Sequence, residues 1–223
     1  LSGVVAVIMN HISSTPLSTY WRNHNMTKYK TILFDLDGTL TDPIEGITKS
    51  VAEAIRVYGD APLDAKEYSD FIGPPLKDSF MALGYKEEDV PILIDGYRER
   101  FRSIGWKENV PYANIDAILE QLGHHYQLAV ATSKPTFYAE KILKYFKLAH
   151  HFDLIMGSEL NGDRGDKSDV IKEVMRQLNL DRSTTIMIGD RKHDLIGAMT
   201  NKLDAIGVLY GYGSQEELEK ETL

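Results

Sequence analysis

Residues 31–42 read TILFDLDGTLTD, an apolar run followed at once by two aspartates and a glycine. Because alternate side chains of an extended chain point the same way, Asp35 and Asp37 can present two carboxylates to one site. Gly38 allows the backbone to turn sharply and offers an unobstructed N–H. Carboxylate oxygens are the ligands that a hard cation prefers, so the stretch predicts a strand ending at a Mg²⁺ site. An acidic turn that only ends the strand is the alternative.

Four more short apolar runs follow, and an amphipathic helical pattern precedes each of them. The predicted strands are Thr31–Phe34, Leu128–Ala131, Asp153–Met156, Thr185–Ile188 and Ala205–Val208. The predicted helices between them are Ile115–Leu122, Tyr138–Tyr145, Val170–Leu178 and Leu195–Asn201. Strands that alternate with helices imply crossover connections and a parallel sheet covered by helices on both faces. The sequence therefore predicts an α/β fold.

The long interval between Phe34 and Leu128 contains only helical signals. Ile47, Val51 and Tyr58 belong to a single apolar stripe at helical spacing. Further helical patterns lie near Ala65–Phe71, Pro75–Leu83 and Val90–Arg102. We therefore predict a helical module inserted at residues 42–112, immediately after the first strand.

Polar residues follow the other predicted strands where each strand ends. They are Thr132 and Ser133 after the second strand, Lys167 after the third, and Asp190 and Asp194 after the fourth. In an open α/β sheet, ligands bind outside the carboxyl ends of the strands. Each residue alone has a simpler interpretation as a strand end, a solvated lysine or a helix cap. Together they supply acidic metal ligands, hydroxyl donors and one cation, which is the inventory of a phosphate–metal site.

The composition of the 223-residue chain excludes several classes of protein. The chain has no cysteine, so disulfide scaffolds, cysteine-bound zinc and thiol nucleophiles are excluded. Its net charge of −8 argues against a nucleic-acid binder. Its apolar runs are far shorter than the ~20 residues of a membrane span. We expect a cytoplasmic protein without nucleic-acid or membrane partners, and we interpret residues 1–25 as a leader or disordered tail.

Four motifs resemble those of one known family. They are FDLDGTLTD, ATSKP, GDKSDVI and IGDRKHDLIGA, and the resemblance covers residues 27–213. The chain is similar to the haloacid dehalogenase (HAD) superfamily, in its phosphoglycolate-phosphatase-like branch with a helical cap. The resemblance implies a Rossmann-like parallel-sheet core at 26–41 and 113–223, with the inserted α-helical cap domain at 42–112.

The resemblance also implies a role for each motif residue. Asp35 would be the nucleophile that forms an aspartyl-phosphate, and Asp37 the general acid and then the general base. Thr132 would bind the phosphoryl oxygens, and Lys167 would offset the negative charge. The implied Mg²⁺ ligand set is Asp35, Asp37 through its backbone carbonyl, Asp190 and Asp194. The implied phosphate-binding set is Gly38, Thr132, Ser133 and Lys167.

Three further residues are candidates for contact with the rest of the substrate. Lys77 follows the stiff Gly73-Pro74-Pro75 break by one turn and could meet a second anionic group. Arg191 and His193 lie beside the predicted metal site. The alternative for all three is an ordinary solvated side chain.

The motifs favour a Mg²⁺-dependent phosphatase that hydrolyses a small phosphorylated metabolite through an aspartyl-phosphate, with phosphoglycolate or a similar compound preferred. A 5'-nucleotidase-type phosphatase and a phosphosugar mutase are the alternatives. Asp37 and the Gly-Asp-Arg start of the fourth motif favour the phosphatases over dehalogenases and mutases. A phosphorylatable signalling receiver uses similar residues but is shorter and has no inserted module. Both a monomer and a homodimer are compatible with the sequence.

Overall fold

The computed structural model describes residues 26–160 and 163–221, and its centre is a five-stranded parallel sheet. The strands of the described residues are β1 (Thr31–Phe34), β2 (Thr41–Asp42), β3 (Val110–Pro111), β4 (Gln127–Pro135), β5 (Leu154–Ser158), β6 (Thr185–Gly189) and β7 (Asp204–Gly207). The order across the parallel sheet is β5-β4-β1-β6-β7. The strand that carries the Asp-Leu-Asp-Gly turn is therefore the central one.

Eight α-helices lie within the described residues. They are α1 (Ile44–Tyr58), α2 (Leu76–Ala82), α3 (Val90–Ser103), α4 (Ile115–Gly123), α5 (Thr136–Tyr145), α6 (Lys167–Gln177), α7 (Lys192–Thr200) and α8 (Gln215–Lys220). Short 3₁₀ turns lie at Met26–Lys28, Ala65–Phe71, Gly105–Lys107, Ala149–His151 and Arg182–Thr184. No helix within residues 26–160 and 163–221 is long and apolar enough to cross a membrane.

Helices cover both faces of the parallel sheet. Ile32 and Phe34 of β1 point into a core shared with α4 and α5, whereas Leu33 points into a second core shared with α6 and α7. Successive side chains of a strand alternate between faces, so an uninterrupted apolar strand serves both cores. The predicted α/β fold with helices on both faces is confirmed.

Two elements are longer than predicted because polar residues continue an apolar strand or begin an apolar helix. β4 continues from Ala131 to Pro135 because, after an irregularity in register, Pro135 still pairs with Ser158 of β5. α6 begins at Lys167 rather than Val170, since Asp166 caps it by accepting a hydrogen bond from the Ser168 N–H at 2.7 Å. Apolar periodicity does not detect a polar first turn.

The helical segment after β1 leaves and rejoins the core at a small antiparallel ribbon. Thr41 pairs with Pro111 and Asp42 with Val110, two strands too short to be detected in the sequence. Within the segment, Ala65–Phe71 forms a kinked 3₁₀ helix rather than an α-helix. The boundaries of the cap domain at 42 and 112 stay a prediction, and the predicted leader at 1–25 lies outside the described residues.

Candidate active site

The loop after β1 is closed by hydrogen bonds to its own backbone. The Leu36 carbonyl accepts from the N–H groups of Leu40 and Thr41 at 2.9 and 3.0 Å. Gly38 has φ +82°, and a Cβ there would lie 2.1 Å from Asp190 Oδ2, so the turn requires glycine. The Gly38 N–H donates to the Thr41 carbonyl at 2.8 Å. This N–H therefore has an acceptor within the loop, and phosphate binding at Gly38 stays a prediction.

Lys167 lies between two buried carboxylates, that of Asp35 directly after β1 and that of Asp194 in the first turn of α7. Its Nζ is 2.8 Å from Asp35 Oδ1 and 2.7 Å from Asp194 Oδ1, and it also donates to the Ala131 carbonyl at 3.2 Å. The Lys167 side chain is 4% exposed. Burial by itself lowers the pKa of Lys167, but the carboxylates of Asp194 and Asp35 outweigh it and raise that pKa well above the ordinary value. Lys167 is thus held as a cation against Asp35.

Asp190 follows β6 and is completely buried. Its Oδ2 accepts a hydrogen bond from the Tyr212 N–H at 2.7 Å, and its Oδ1 accepts one from the Thr39 hydroxyl at 3.4 Å. Burial first, and then the charges of Asp194 and Asp35, raise the pKa of Asp190 well above its usual range. The carboxylate therefore lies where a nearby positive charge is needed to keep it ionised.

The donor set formed by Asp35, Asp190 and Asp194 fits a divalent cation. One carboxylate oxygen from each of the three lies within 4.8 Å of the others, and all three residues are buried. Oδ1 of Asp35 and Oδ1 of Asp194 both contact the Lys167 ammonium, so this lysine offsets part of the negative charge of the donor set. An all-carboxylate set is chemically suited to Mg²⁺. The side chain of Asp37 lies outside this set, and only its backbone carbonyl was predicted as a ligand.

Asp37 pairs instead with a lysine that the sequence analysis did not select. Lys134 Nζ lies 2.6 Å from Asp37 Oδ2 and 4.8 Å from the centroid of the Phe101 ring of α3. Burial raises the pKa of Asp37, and the positive charge of Lys134 partly opposes that rise. Lys134 lies two residues beyond Thr132 at the same strand end, which was the signal available in the sequence.

Thr132 and Ser133 lie at the carboxyl end of β4, on the wall of the same cleft. Thr132 is 2% exposed, and its Oγ1 accepts a hydrogen bond from the Lys134 N–H at 3.3 Å. The Ser133 carbonyl accepts from the Ser158 hydroxyl at 2.9 Å, which ties the strand end to β5. Thr132 and Ser133 thus line the same cleft as Asp35 and Lys167. Phosphate binding by the two hydroxyls stays a prediction.

The cleft that contains these residues has a volume of about 1010 Å³ and lies between the sheet edge and the helical segment. Aromatic side chains form much of its wall. Tyr97 and Phe101 of α3 are stacked at 5.4 Å, and Phe101 meets Tyr138 edge-on at 5.1 Å. Phe137 is 54% exposed and also lines the cleft. The space beyond the carboxylates is therefore large and mostly apolar on one side.

Arg191, His193 and Lys77 all line this cleft, but two of them are already paired. Arg191 Nε lies 2.9 Å from Glu217 Oε1, and its guanidinium donates to the Ile72 carbonyl of the helical segment. Lys77 pairs with Glu87 on the exposed side of the same segment. Arg191 therefore ties the segment to the sheet, and substrate contact by the three residues stays a prediction.

Comparison with known proteins agrees with this geometry. The model of the haloacid dehalogenase-like hydrolase family matches residues 32–208. A 5'-nucleotidase from Pseudomonas aeruginosa is 46% identical, over 86% of this chain and 87% of that protein. Tyrosine-protein kinase PtkA from Mycobacterium tuberculosis is 34% identical, over 85% of this chain and 65% of that protein.

Solved structures lead to the same family. The crystal structure of a predicted phosphatase from Clostridium acetobutylicum has a TM-score of 0.83 and 48% identity to this chain, covering 86% of it and 90% of that chain. Its relatives support the enzyme class of a phosphoric monoester hydrolase. As its motifs predicted, the chain belongs to the haloacid dehalogenase-like hydrolase family.

Proposed function

We propose that the chain is a Mg²⁺-dependent phosphatase that hydrolyses a small phosphomonoester through an aspartyl-phosphate on Asp35. The observation that carries this proposal is the buried contact between Asp35 and Lys167, beside two further buried carboxylates and at the floor of an open cleft. A carboxylate nucleophile needs such a cation, because an incoming phosphoryl group adds more negative charge. A bound Mg²⁺ would be held by Asp35, Asp190 and Asp194 and would supply further charge neutralisation.

The first half-reaction forms a covalent bond to the protein. One Asp35 carboxylate oxygen attacks phosphorus in line, and the bond from phosphorus to the leaving-group oxygen breaks. Asp37 donates its proton to that departing oxygen. The raised pKa of Asp37, caused first by burial, supports its presence as the acid. The Lys134 ammonium contacts both the Asp37 carboxyl and the face of the Phe101 ring, so Lys134 acts as a positioning residue for Asp37.

The second half-reaction returns the protein to its starting state. Asp37, now a carboxylate, removes a proton from a water molecule, whose oxygen attacks the phosphorus of the aspartyl-phosphate. The acyl phosphate bond breaks, which releases inorganic phosphate and the Asp35 carboxylate. Lys167 remains a cation throughout and offsets the charge on Asp35 in both steps.

The cleft supports a nucleoside 5'-monophosphate as the substrate, which is the 5'-nucleotidase alternative. The cleft of about 1010 Å³ has room beyond the carboxylates for a leaving group much larger than glycolate. The aromatic wall offers faces on which a planar base can stack, and the exposed ring of Phe137 is the accessible one. The relative from Pseudomonas aeruginosa that is named a 5'-nucleotidase shares 46% of its aligned residues.

A phosphate-release assay over a panel of substrates tests the proposal. The panel contains nucleoside 5'-monophosphates, phosphoglycolate and hexose phosphates, each with Mg²⁺. We expect phosphate release, with the highest kcat/KM for a nucleoside monophosphate. Equal or faster phosphate release from phosphoglycolate would instead identify phosphoglycolate, the substrate that the motifs favour. Isomerisation of a hexose phosphate without phosphate release would support the mutase, and transfer from ATP to a tyrosine peptide would support a kinase.

Replacement of Asp37 by asparagine separates the acid from the nucleophile. Asp37→Asn keeps the shape of the side chain but removes its proton, so nucleotide hydrolysis should fall by about 10²–10⁴-fold. The kcat/KM of p-nitrophenyl phosphate should fall much less, because p-nitrophenolate leaves without protonation. We compare kcat/KM rather than kcat, because kcat/KM reports the first half-reaction, whereas kcat includes the attack of water, which uses Asp37 for both substrates. An equal loss on both would assign Asp37 a purely structural role.

Exchange of the metal tests the cation assigned to the three carboxylates. Mg²⁺ requires octahedral geometry with short bonds, whereas Ca²⁺ takes more ligands at longer distances. We expect EDTA to reduce phosphate release to near background, Mg²⁺ to restore it, and Ca²⁺ to restore little of it. The same titration on Asp190→Asn should require more Mg²⁺ for half-maximal activity. Full activity in EDTA or in Ca²⁺ alone contradicts the assignment.

A further inference from the structure

A second group of metal-ligating side chains lies outside the cleft. Asp116 is in the first turn of α4, and His150 and His151 are in the 3₁₀ turn Ala149–His151 that precedes β5. One ligand atom from each of the three lies within 4.8 Å of the others. None of these residues lines the cleft or takes part in the chemistry described above.

The geometry of this group brings a buried imidazole and an exposed one to the same carboxylate. His151 Nε2 lies 2.7 Å from Asp116 Oδ1, and the His151 side chain is only 8% exposed while that of Asp116 is 72% exposed. The ring centroids of His150 and His151 are 3.9 Å apart, with a tilt of 37° between the planes. The base of the group is therefore fixed by packing, and its open side is accessible to an ion from solvent.

The ligand types distinguish this group from the active-site carboxylates. Two imidazoles and one carboxylate are suited to borderline divalent transition metals, whereas three carboxylates are suited to Mg²⁺. Zn²⁺ commonly binds three such protein ligands and keeps a water molecule in a fourth position. We propose that Asp116, His150 and His151 form a surface site for a borderline divalent transition-metal ion, with Zn²⁺ as the ion that fits best.

The site joins two segments that are distant in sequence. Asp116 belongs to the helix that precedes β4, and the two histidines belong to the turn that precedes β5. An ion that is bound by both segments binds the folded chain more tightly than the unfolded one, so it stabilises the fold by an amount that rises with the logarithm of its concentration. Zn²⁺ should therefore raise the melting temperature without any requirement for substrate.

The chain itself provides a matched control. His124 and His125 are a second pair of adjacent histidines, and among the described residues they belong to no group of three metal-ligating side chains. His150→Gln with His151→Gln can thus be compared with His124→Gln with His125→Gln. Each double variant removes two adjacent imidazole groups, so the two variants differ only in where those groups lie. Asp116→Asn is a third variant that keeps both histidines.

The test is a competition titration of the untagged full chain with Zn²⁺, in excess Mg²⁺ so that the active-site carboxylates are occupied. Loss of one ligand should weaken Zn²⁺ binding at least as much as loss of an outer-shell partner does, about 10–100-fold. We expect this decrease in Zn²⁺ affinity in Asp116→Asn and in the 150/151 double variant. The 124/125 double variant should bind Zn²⁺ as tightly as the wild type. Substituting Co²⁺ should give visible absorption typical of nitrogen ligands, which the 150/151 variant lacks.

The outcomes separate this site from the proposed phosphatase activity. Mg²⁺-dependent phosphate release should be the same in the wild type and in the 150/151 double variant. Circular dichroism and melting without Zn²⁺ verify that each variant is folded. Equal Zn²⁺ affinity in the wild type, the 150/151 double variant and Asp116→Asn overturns the proposal. Equal losses in the two double variants overturn it as well, because histidine pairs alone would then account for the binding.

Discussion

Asp35→Asn is expected to lower phosphate release on the order of 10⁴-fold or more, the loss seen when one member of a catalytic unit is removed. Asparagine occupies the same volume, but its amide is a poor nucleophile and carries no charge for the Lys167 ammonium 2.8 Å away. The measurements are kcat and kcat/KM for nucleotide and for p-nitrophenyl phosphate. Both should fall equally, unlike the selective loss expected for Asp37→Asn.

The control for this prediction is Asp153→Asn, which replaces an exposed aspartate just before β5. It should leave kcat unchanged. Intact mass must exclude deamidation of the introduced asparagine back to aspartate, since a small deamidated fraction would account for residual turnover. Substantial activity in a sample free of deamidation would remove Asp35 from the role of nucleophile.

Lys167→Gln is expected to affect both stability and catalysis strongly. The variant leaves Asp35 and Asp194 buried without the ammonium that lies 2.8 and 2.7 Å from them. Breaking a buried ion pair by removing one partner costs about 3–5 kcal/mol in the free energy of unfolding. Loss of a preorganised group that faces developing charge should lower kcat by about 10²–10³-fold. Denaturant unfolding in EDTA and kinetics in Mg²⁺ measure the two effects separately.

Lys172→Gln is the matched control, because Lys172 lies on the same helix but is exposed. Its unfolding free energy and kcat should stay close to those of the wild type. Lys167→Arg keeps the positive charge, so its unfolding free energy should lie above that of Lys167→Gln. A Lys167→Gln protein with unchanged kcat would show that phosphoryl transfer does not use this cation.

The parallel sheet could be predicted because its strands are apolar on both faces. β1 was predicted with its observed bounds, since Thr31–Phe34 is a short apolar run that ends abruptly at Asp35. β4 was predicted too short, because Thr132 and Lys134 are polar and lie in the irregular stretch of the strand before Pro135 pairs with Ser158 of β5. Polar strand ends carry the site, so a hydrophobic pattern detects the strand and misses its functional end.

The pairing of the site residues could be predicted only in part. Parallel strands place their carboxyl ends at one edge, so Asp35, Lys167 and Asp194 could be expected to lie close together. The contact between Lys134 and Asp37 could not, because it depends on the irregular end of β4 and on Phe101 in the helical segment. No local pattern encodes a contact among three distant segments.

The roles of Gly38 and Arg191 show the same limit. Gly38 could be recognised as a turn residue, but the Thr41 carbonyl that takes its N–H becomes visible only in the folded loop. Arg191 follows a predicted metal ligand, yet its guanidinium contacts Ile72 and Glu217, which are 119 and 26 residues away in sequence. Both side-chain environments are set by long-range packing rather than by neighbours in sequence.

The covalent intermediate on Asp35 is the central claim, and mass spectrometry after rapid acid quench tests it most directly. The wild type is mixed with substrate and Mg²⁺, quenched in acid within the first turnover and digested. We expect one phosphoryl group on the peptide that contains Asp35, and none on that peptide from Asp35→Asn. Turnover of substrate with no phosphorylated aspartate, or with the phosphoryl group on another residue, would contradict the account.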